Sequence, residues 1–201
     1  IYLRALGDKS PDLRRQGATA VATLRDQAVP LLEQLAKRNE LPASALPELR
    51  TVFNGLKPIQ SWKVLGPFAL KDESPFPIDG PIDLDARFKG VDEKEAAWKS
   101  RRAVDAKGQI NLARIYSQAD DRAAYGYAEI DSPTDRAAMM AVGSDDTLTV
   151  WVNGRRVYDF PDRRGYSPES AKFEVNLKKG KNTILIRCGN SGGGWQYSVA
   201  V

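Results

Sequence analysis

Histidine is absent from the 201 residues, and cysteine occurs once, at Cys188. The first absence excludes Ser-His-Asp and Cys-His catalysis, imidazole acid–base chemistry and every imidazole-ligated zinc or iron site. The second excludes an intrachain disulfide and a thiolate metal cage. Cys188 closes the run Ile184-Leu185-Ile186-Arg187-Cys188 and reads as a small buried hydrophobe, not a reactive thiol. No apolar stretch approaches the roughly 20 residues that a membrane-spanning helix needs, and no signal-peptide pattern is visible. A concentrated basic face is missing too. Thirty Lys and Arg are offset by 26 Asp and Glu, leaving a net charge of +4. The basic residues come as scattered pairs such as Arg14-Arg15, Arg101-Arg102 and Lys178-Lys179. A nucleic-acid binder gathers its charge on one face or helix, so no nucleic-acid partner is expected. The chain opens Ile1-Tyr2-Leu3-Arg4, already helical in pattern and without an initiator Met, and is expected to be a piece of a longer protein.

What is present divides in two by hydrophobic period. Residues 1–57 read as helical. Ser10-Pro11-Asp12 supplies an N-cap with proline in the first turn, followed by Leu13, Ala20, Val21 and Leu24 at helical spacing. A second helix is predicted over about 27–38, with Val29, Leu31, Leu32 and Leu35 as its stripe. A third begins near Pro42 or Ala43 and carries Leu46, Leu49, Val52 and Phe53. Helices this short bury their stripes only against each other or a neighbour, so the helical segment is expected to dock on the remainder of the chain. From 58 to 201 the period becomes alternating. Strands are predicted at about 59–65, 103–105, 109–115, 123–130, 137–143, 148–153, 156–160, 172–177, 183–188 and 195–201. A Pro-, Gly- and Asp-rich surface excursion is read over 71–98. Short strands at regular spacing with turn residues between them argue for a β-sandwich. Lys179-Gly180-Lys181-Asn182 reads as a hairpin turn, and Asn153-Gly154 is the preferred pair for a type I′ turn.

The first part, from Leu6-Gly7-Asp8 through Asp12-Leu13-Arg14 to Ala18, Ala22, Leu24 and Val29-Pro30-Leu31-Leu32, resembles one HEAT repeat. In the second part an ordered series stands out: Trp62-Lys63-Val64-Leu65-Gly66-Pro67-Phe68, Gly143-Ser144-Asp145-Asp146, Val150-Trp151-Val152-Asn153-Gly154-Arg155, Leu177-Lys178-Lys179-Gly180-Lys181-Asn182 and Gly193-Gly194-Trp195-Gln196-Tyr197. This series resembles the jelly-roll accessory modules, galactose-binding-like or PA14-like, of large secreted bacterial proteins, planctomycete ones included. The resemblance implies a mainly β protein, a jelly-roll β-sandwich preceded by a short N-terminal α-helical, HEAT-like segment. It implies an extracytoplasmic setting and glycan association, but no activity, because such folds host unrelated functions.

Each candidate site residue has a functional reading and a plainer one. A two-residue turn at Asn153-Gly154 places Val152 opposite Arg155, Val150 opposite Val157 and Trp151 opposite Arg156. Thr149, Trp151, Arg156 and Tyr158 then share one face, either a platform on which a sugar ring stacks or a surface covered by the helices or the 71–98 excursion. Asn190 and Trp195 resemble the sugar contacts of galactose-binding-like modules, yet Trp195, Tyr197, Val199 and Val201 also alternate as a core face. Asp145 and Asp146 resemble the paired Asp through which PA14-like binders hold Ca²⁺, the only cofactor suggested. Alternatively they cap turns, because neighbouring strand residues point to opposite faces. The small residues Ala124, Gly126 and Ala128, opposite in face to Tyr125 and Tyr127, imply something large packed against them. The Arg163-Arg164-Gly165-Tyr166 loop is either solvated or a contact for acidic glycans. No carboxylate pair is placed for glycoside hydrolysis. The chain is thus expected to be a non-catalytic glycan-associated binding module, its partners a glycan or polysaccharide and other domains of the same parent protein. The competing expectation is an architectural module that positions a catalytic or electron-transfer domain.

Overall fold

The computed structural model of the protein describes residues 2–23, 25–53, 55–78, 80–117 and 120–201, and it divides into two units, Ile1–Gly55 and Leu56–Val201. Leu24 and Asp79 lie outside the described residues, as do the side chains of Ala22, Val29, Val52 and Phe53.

The first unit is made of α1 (Tyr2–Ala5), α2 (Pro11–Thr23), α3 (Arg25–Lys37) and, after a 3₁₀ turn at Ala43–Ala45, α4 (Leu46–Phe53). Ser10 Oγ accepts from the Leu13 amide at 3.5 Å at the start of α2, and Pro11 sits where its missing N–H costs nothing. Leu6, Ala18, Val21, Ala28, Ala45 and Leu49 make its small core. Leu13, Leu31 and Leu46, expected on the buried stripes, remain exposed.

Among its described residues the second unit holds twelve strands: β1 (Ser61–Ala69), β2 (Arg87–Lys89), β3 (Glu95–Ala97), β4 (Lys99–Arg102), β5 (Ile110–Asn111), β6 (Arg122–Ser132), β7 (Arg136–Asp145), β8 (Thr147–Val152), β9 (Arg155–Phe160), β10 (Ala171–Leu177), β11 (Gly180–Asn190) and β12 (Gln196–Ala200). They form a six-stranded sheet ordered β4-β1-β6-β11-β8-β9, a four-stranded sheet ordered β10-β7-β12-β5, and a small β2-β3 hairpin. From β6 onward the chain weaves between the two large sheets, staying in one only for the β8-β9 hairpin, which is the jelly-roll sandwich. Two short stretches depart from the alternating pattern. Residues 103–105 are loop. The strand expected over 109–115 stops at Asn111, whose Oδ1 accepts from the Arg114 amide at 2.8 Å and caps α5 (Leu112–Tyr116).

The interior between the sheets contains Trp62, Val64, Leu148, Val150, Ile184, Ile186, Trp195 and Tyr197. Gly126 sits under this layer, and a Cβ there would lie 2.2 Å from Tyr197 Oη, so the large neighbour implied by the small residues is Tyr197. Lys179-Gly180-Lys181-Asn182 is not a hairpin turn. It carries the chain from β10 in one sheet to β11 in the other. The reason is Asn182, which is fully buried. Its Nδ2 donates to Lys178 O at 2.8 Å and Gly180 O at 3.0 Å, and its Oδ1 accepts from Lys178 N at 2.8 Å. The side chain takes over the bonds that a facing strand would otherwise make.

Candidate functional site

Strand β6 is buried on both faces along most of its length, which a sandwich with one wet outer surface does not require. The covering layer is the 71–98 excursion. Phe76, Ile78, Ile82, Leu84, Phe88 and Trp98 pack on Leu65, Tyr125, Tyr127 and Leu185, a second apolar cluster on the outer face of the six-stranded sheet. Its aromatic rings meet edge-on or tilted: Phe76 lies 5.1 Å from Tyr125 and 5.8 Å from Trp98, and Trp98 6.2 Å from Tyr127. Tyr127 Oη donates to Glu129 Oε1 at 2.9 Å; burial and this bond push its phenol up to about 12. The outward-facing half of the sheet is therefore a built layer.

The excursion stops short of the β8-β9 edge, and there an open cleft of about 360 Å³ remains. Trp151, Thr149 and Arg156 line it from the sheet with Tyr125 and Arg187, and Leu70 through Ser74 and Ile78 line it from the excursion. Two guanidinium groups shape its walls. Arg187 donates to Leu70 O, and at 3.2 Å to Asp72 O, tethering the start of the excursion to β11. Arg156 lies 3.8 Å from Asp159, whose Oδ1 also accepts from Thr149 Oγ1 at 2.8 Å. Of the four tryptophans only Trp151 is partly exposed, and it packs against the apolar layer while lining the cleft. Both readings of that face thus meet in one place: the excursion covers most of it and leaves an aromatic wall with polar neighbours.

The hairpin that presents Trp151 turns at Asn153 (φ 51°) and Gly154 (φ 78°), left-handed at both positions as a type I′ turn requires. Val152 pairs with Arg155 and Trp151 with Arg156, but Val150 pairs with Tyr158 instead of Val157 because a bulge intervenes. One extra residue moves every later side chain to the opposite face. Tyr158, expected beside Trp151, therefore leaves the candidate site. It stacks on Phe173, centroids 5.0 Å apart and planes within 1°, at the margin of the sandwich core. Asp159 takes its place on the outer face.

Trp195 and Asn190 are fully buried, and neither offers a surface to a ligand. Trp195 Nε1 donates to Cys188 O at 3.2 Å, its ring lies 5.8 Å from Tyr116, and its carbonyl accepts from the Leu112 and Ala113 amides. It ties α5 to the end of β11, which makes it the first core residue of the last strand. Asn190 Oδ1 accepts from the Gly192 amide at 3.2 Å and closes the glycine loop. Asp145 and Asp146 serve different loops. Asp146 is buried, and its Oδ2 accepts from the Ser191 amide at 2.7 Å. Asp145 accepts from Gln196 Nε2 at 3.4 Å and from the Tyr166 amide, while burial and the Asp146 carboxylate raise its pKa. Among the described residues no group of three or more His, Cys, Asp or Glu is placed to hold a metal ion. The two adjacent carboxylates thus bond to different partners, Asp146 to the Ser191 amide and Asp145 to Gln196. Arg164 is also structural: it lies 4.1 Å over the Phe160 ring and donates to Ser144 Oγ at 2.6 and 3.0 Å. The buried Cys188 thiol is pushed up by its apolar surroundings.

The cleft residues Arg187, Asp72 and Tyr125 carried no sequence motif. The signal that could have found them is the recurrence of Phe76, Ile78, Ile82, Leu84, Phe88 and Trp98 along the 71–98 excursion, since so many large apolar side chains need a surface to cover.

No known family profile matches the sequence, and no curated protein matches it either. Among solved structures the chain is similar to a family 35 carbohydrate binding module from an environmental isolate, at 14% identity and a TM-score of 0.31 over 38% of this chain and 63% of that one. It is similar to the PA14 sugar-binding domain of an RTX adhesin, at 18% identity and a TM-score of 0.32 over 40% of this chain and 45% of that one. A GH31 alpha-xylosidase from Xanthomonas citri matches at 12% identity and a TM-score of 0.38, over 73% of this chain and 18% of the enzyme. The chain spans less than two thirds of the length of each of these proteins.

Proposed function

We propose that the β-sandwich unit is a non-catalytic module that binds a glycan in the cleft around Trp151, as an accessory part of a larger extracytoplasmic protein. The observation that carries this reading is the cleft itself. A partly exposed indole stands in an open groove beside fixed guanidinium groups and loop carboxylates. Pyranose rings stack on aromatic faces while polar neighbours bond their hydroxyls, and an apolar wall with a few convergent polar groups is the usual character of a binding site. The module is read as non-catalytic because Asp72 and Glu73 are adjacent on one loop. Glycoside hydrolysis needs two carboxyl groups facing each other across the scissile bond, about 5–10 Å apart. The extracytoplasmic setting and larger parent rest on the resemblance of the ordered motifs between Trp62 and Tyr197.

The architectural reading is favoured by a different observation. Trp62, Trp98 and Trp195 are all buried, so the aromatic residues of this unit chiefly build layers. One experiment separates the two. Tryptophan emission of the purified chain is followed during titration with a polysaccharide panel, with and without Ca²⁺. A saturable change that disappears in Trp151→Ala supports the glycan module and locates it. Failure of every polysaccharide to bind, with the protein folded, would leave only the architectural role.

A further inference from the structure

Asn153-Gly154 has a chemistry of its own beyond the shape of its turn. An asparagine followed by glycine loses its side-chain amide readily, because glycine places no side chain in the way of the attacking main-chain nitrogen. The Gly154 nitrogen gives its proton to solvent base and bonds to Asn153 Cγ, and Nδ2 leaves as ammonia. Water then opens the five-membered imide at one of its two carbonyls. The product is aspartate or, with one methylene added to the main chain, isoaspartate. Water is the only co-reactant.

In the fold this amide is held at both ends. Asn153 Nδ2 donates to Asn182 Oδ1 at 2.8 Å, and Asn153 Oδ1 accepts from the Thr183 amide at 2.9 Å. These two bonds join the tip of the β8-β9 hairpin to β11. Asn182 has no capacity left to adjust. It is fully buried, its Nδ2 is committed to Lys178 O and Gly180 O, and its Oδ1 also accepts from Lys178 N. Attack on Asn153 makes Cγ tetrahedral and expels the atom that faces Asn182, so that contact has to break before the amide can leave. The Thr183 amide favours charge gathering on Oδ1, and the restraint therefore comes from Asn182. The product carries an oxygen where Nδ2 stood. Two acceptors then face each other at a buried position, and Asn182 can turn its own donor toward them only by abandoning two carbonyls.

We propose that Asn153-Gly154 is a deamidation site restrained by the Asn182 contact, and that conversion of Asn153 releases the hairpin tip that carries Trp151 and Arg156. The second half follows from the register. Val152 pairs with Arg155 and Trp151 with Arg156 directly behind the turn. The Asn153 amide donates to Thr183 O at 2.9 Å, beside the side-chain pair, so loss of one contact strips support from the other. An isoaspartate would also lengthen a two-residue turn whose geometry fixes the pairing behind it. This inference is independent of what the cleft binds.

The test uses the full 201-residue chain and the variants Asn182→Ala, Gly126→Ala and Asn153→Asp. The wild type and the first two are incubated in mildly alkaline buffer, folded and in urea, and aspartate and isoaspartate at position 153 are counted by peptide mass spectrometry. The folded wild type should convert roughly five- to tenfold more slowly than the unfolded chain. Asn182→Ala should remove most of that difference. Gly126→Ala, whose crowding falls on Tyr197 and Ile186, should convert like the wild type although it also lowers the melting temperature. The chain's other such pair, Asn54-Gly55, belongs to the first unit and should convert at one rate in all three folded proteins. Asn153→Asp and aged wild type should both melt lower than fresh wild type, and trypsin should cut both sooner after Arg155 and Arg156. The inference is overturned if position 153 converts as fast folded as unfolded, or if Gly126→Ala accelerates it as much as Asn182→Ala does. It is equally overturned if Asn153→Asp melts and is cleaved like the wild type. Should Asn182→Ala fail to fold, the folded-against-urea comparison and Asn153→Asp decide between them.

Discussion

Replacing Gly126 by alanine should destabilise the sandwich by an amount that can be worked out beforehand and partly reversed at a chosen second position. The added Cβ would lie 2.2 Å from Tyr197 Oη, 2.9 Å from its Cζ and 3.0 Å from Ile186 Cγ1. Ordinary carbon–oxygen contact needs about 1 Å more than the shortest of these. Tyr197 has no room to yield: it is fully buried, with its ring edge-on to Trp62 at 5.1 Å and 88°. Relief therefore requires β6 to move away from β12 in the opposite sheet, and overpacking of this kind costs about 1–3 kcal/mol. The rigidity of the site places the variant at the upper end, about 3 kcal/mol, or a fall of about 6–12 °C in melting temperature for a unit of this size. Tyr197→Phe removes the atom responsible for the shortest contact. Because Tyr197 Oη has no hydrogen-bond partner, that change alone should be neutral or slightly stabilising. The double variant should recover at least half of the loss. Calorimetric melting of the four proteins gives the coupling as a double-mutant cycle. A Gly126→Ala protein melting within about 2 °C of the wild type, or two substitutions that simply add, would refute the packing argument.

Two further outcomes are expected. Asn182→Ala should cost about 2–3 kcal/mol, because it strips the bonds that carry the chain between the sheets from a fully buried position. Urea unfolding should show a lower midpoint at constant slope, and a cost below about 0.5 kcal/mol would mean that the crossover holds without the side chain. Asp145 is raised above the ordinary carboxylate value of 3.8, by burial first and then by Asp146. A raised carboxylate binds its proton more tightly when folded, so its contribution to stability is complete below that value and lost as pH rises through the folded pKa. Asp145→Asn should accordingly gain stability over the wild type as pH rises from about 4 toward neutrality, and the gain should vanish near pH 3. A pH-independent difference in melting temperature would contradict this.

Residue period alone carried a good deal of the architecture. The change from helical to alternating spacing near Pro58 and the strand series from Ala123 to Val201 are local matters, and each strand needed only its own alternation to be read. The positive φ at Asn153 and Gly154 likewise comes from what those two residues adopt easily. The same alternation could not say which sheet a strand joins. Lys179-Gly180-Lys181-Asn182 looks like a hairpin because a short turn between apolar strands is compatible with either one sheet or two. Only the buried position of Asn182 decided for two.

The candidate site depended still more on distant contacts. The Trp151-Arg156 pair was readable because a two-residue turn fixes its neighbours. Tyr158 was lost from it through a single bulge that no residue type announces. Trp195 and Trp151 have the same side chain and both border turns. One became the pin between α5 and β11, and the other a cleft wall, according to what lies above each. Sequence determined which residues alternate and where the chain turns, because those depend on a residue and its near neighbours. Tertiary structure decided which faces are covered, because burial depends on what a segment as distant as the 71–98 excursion lays over them, and local spacing carries no record of that.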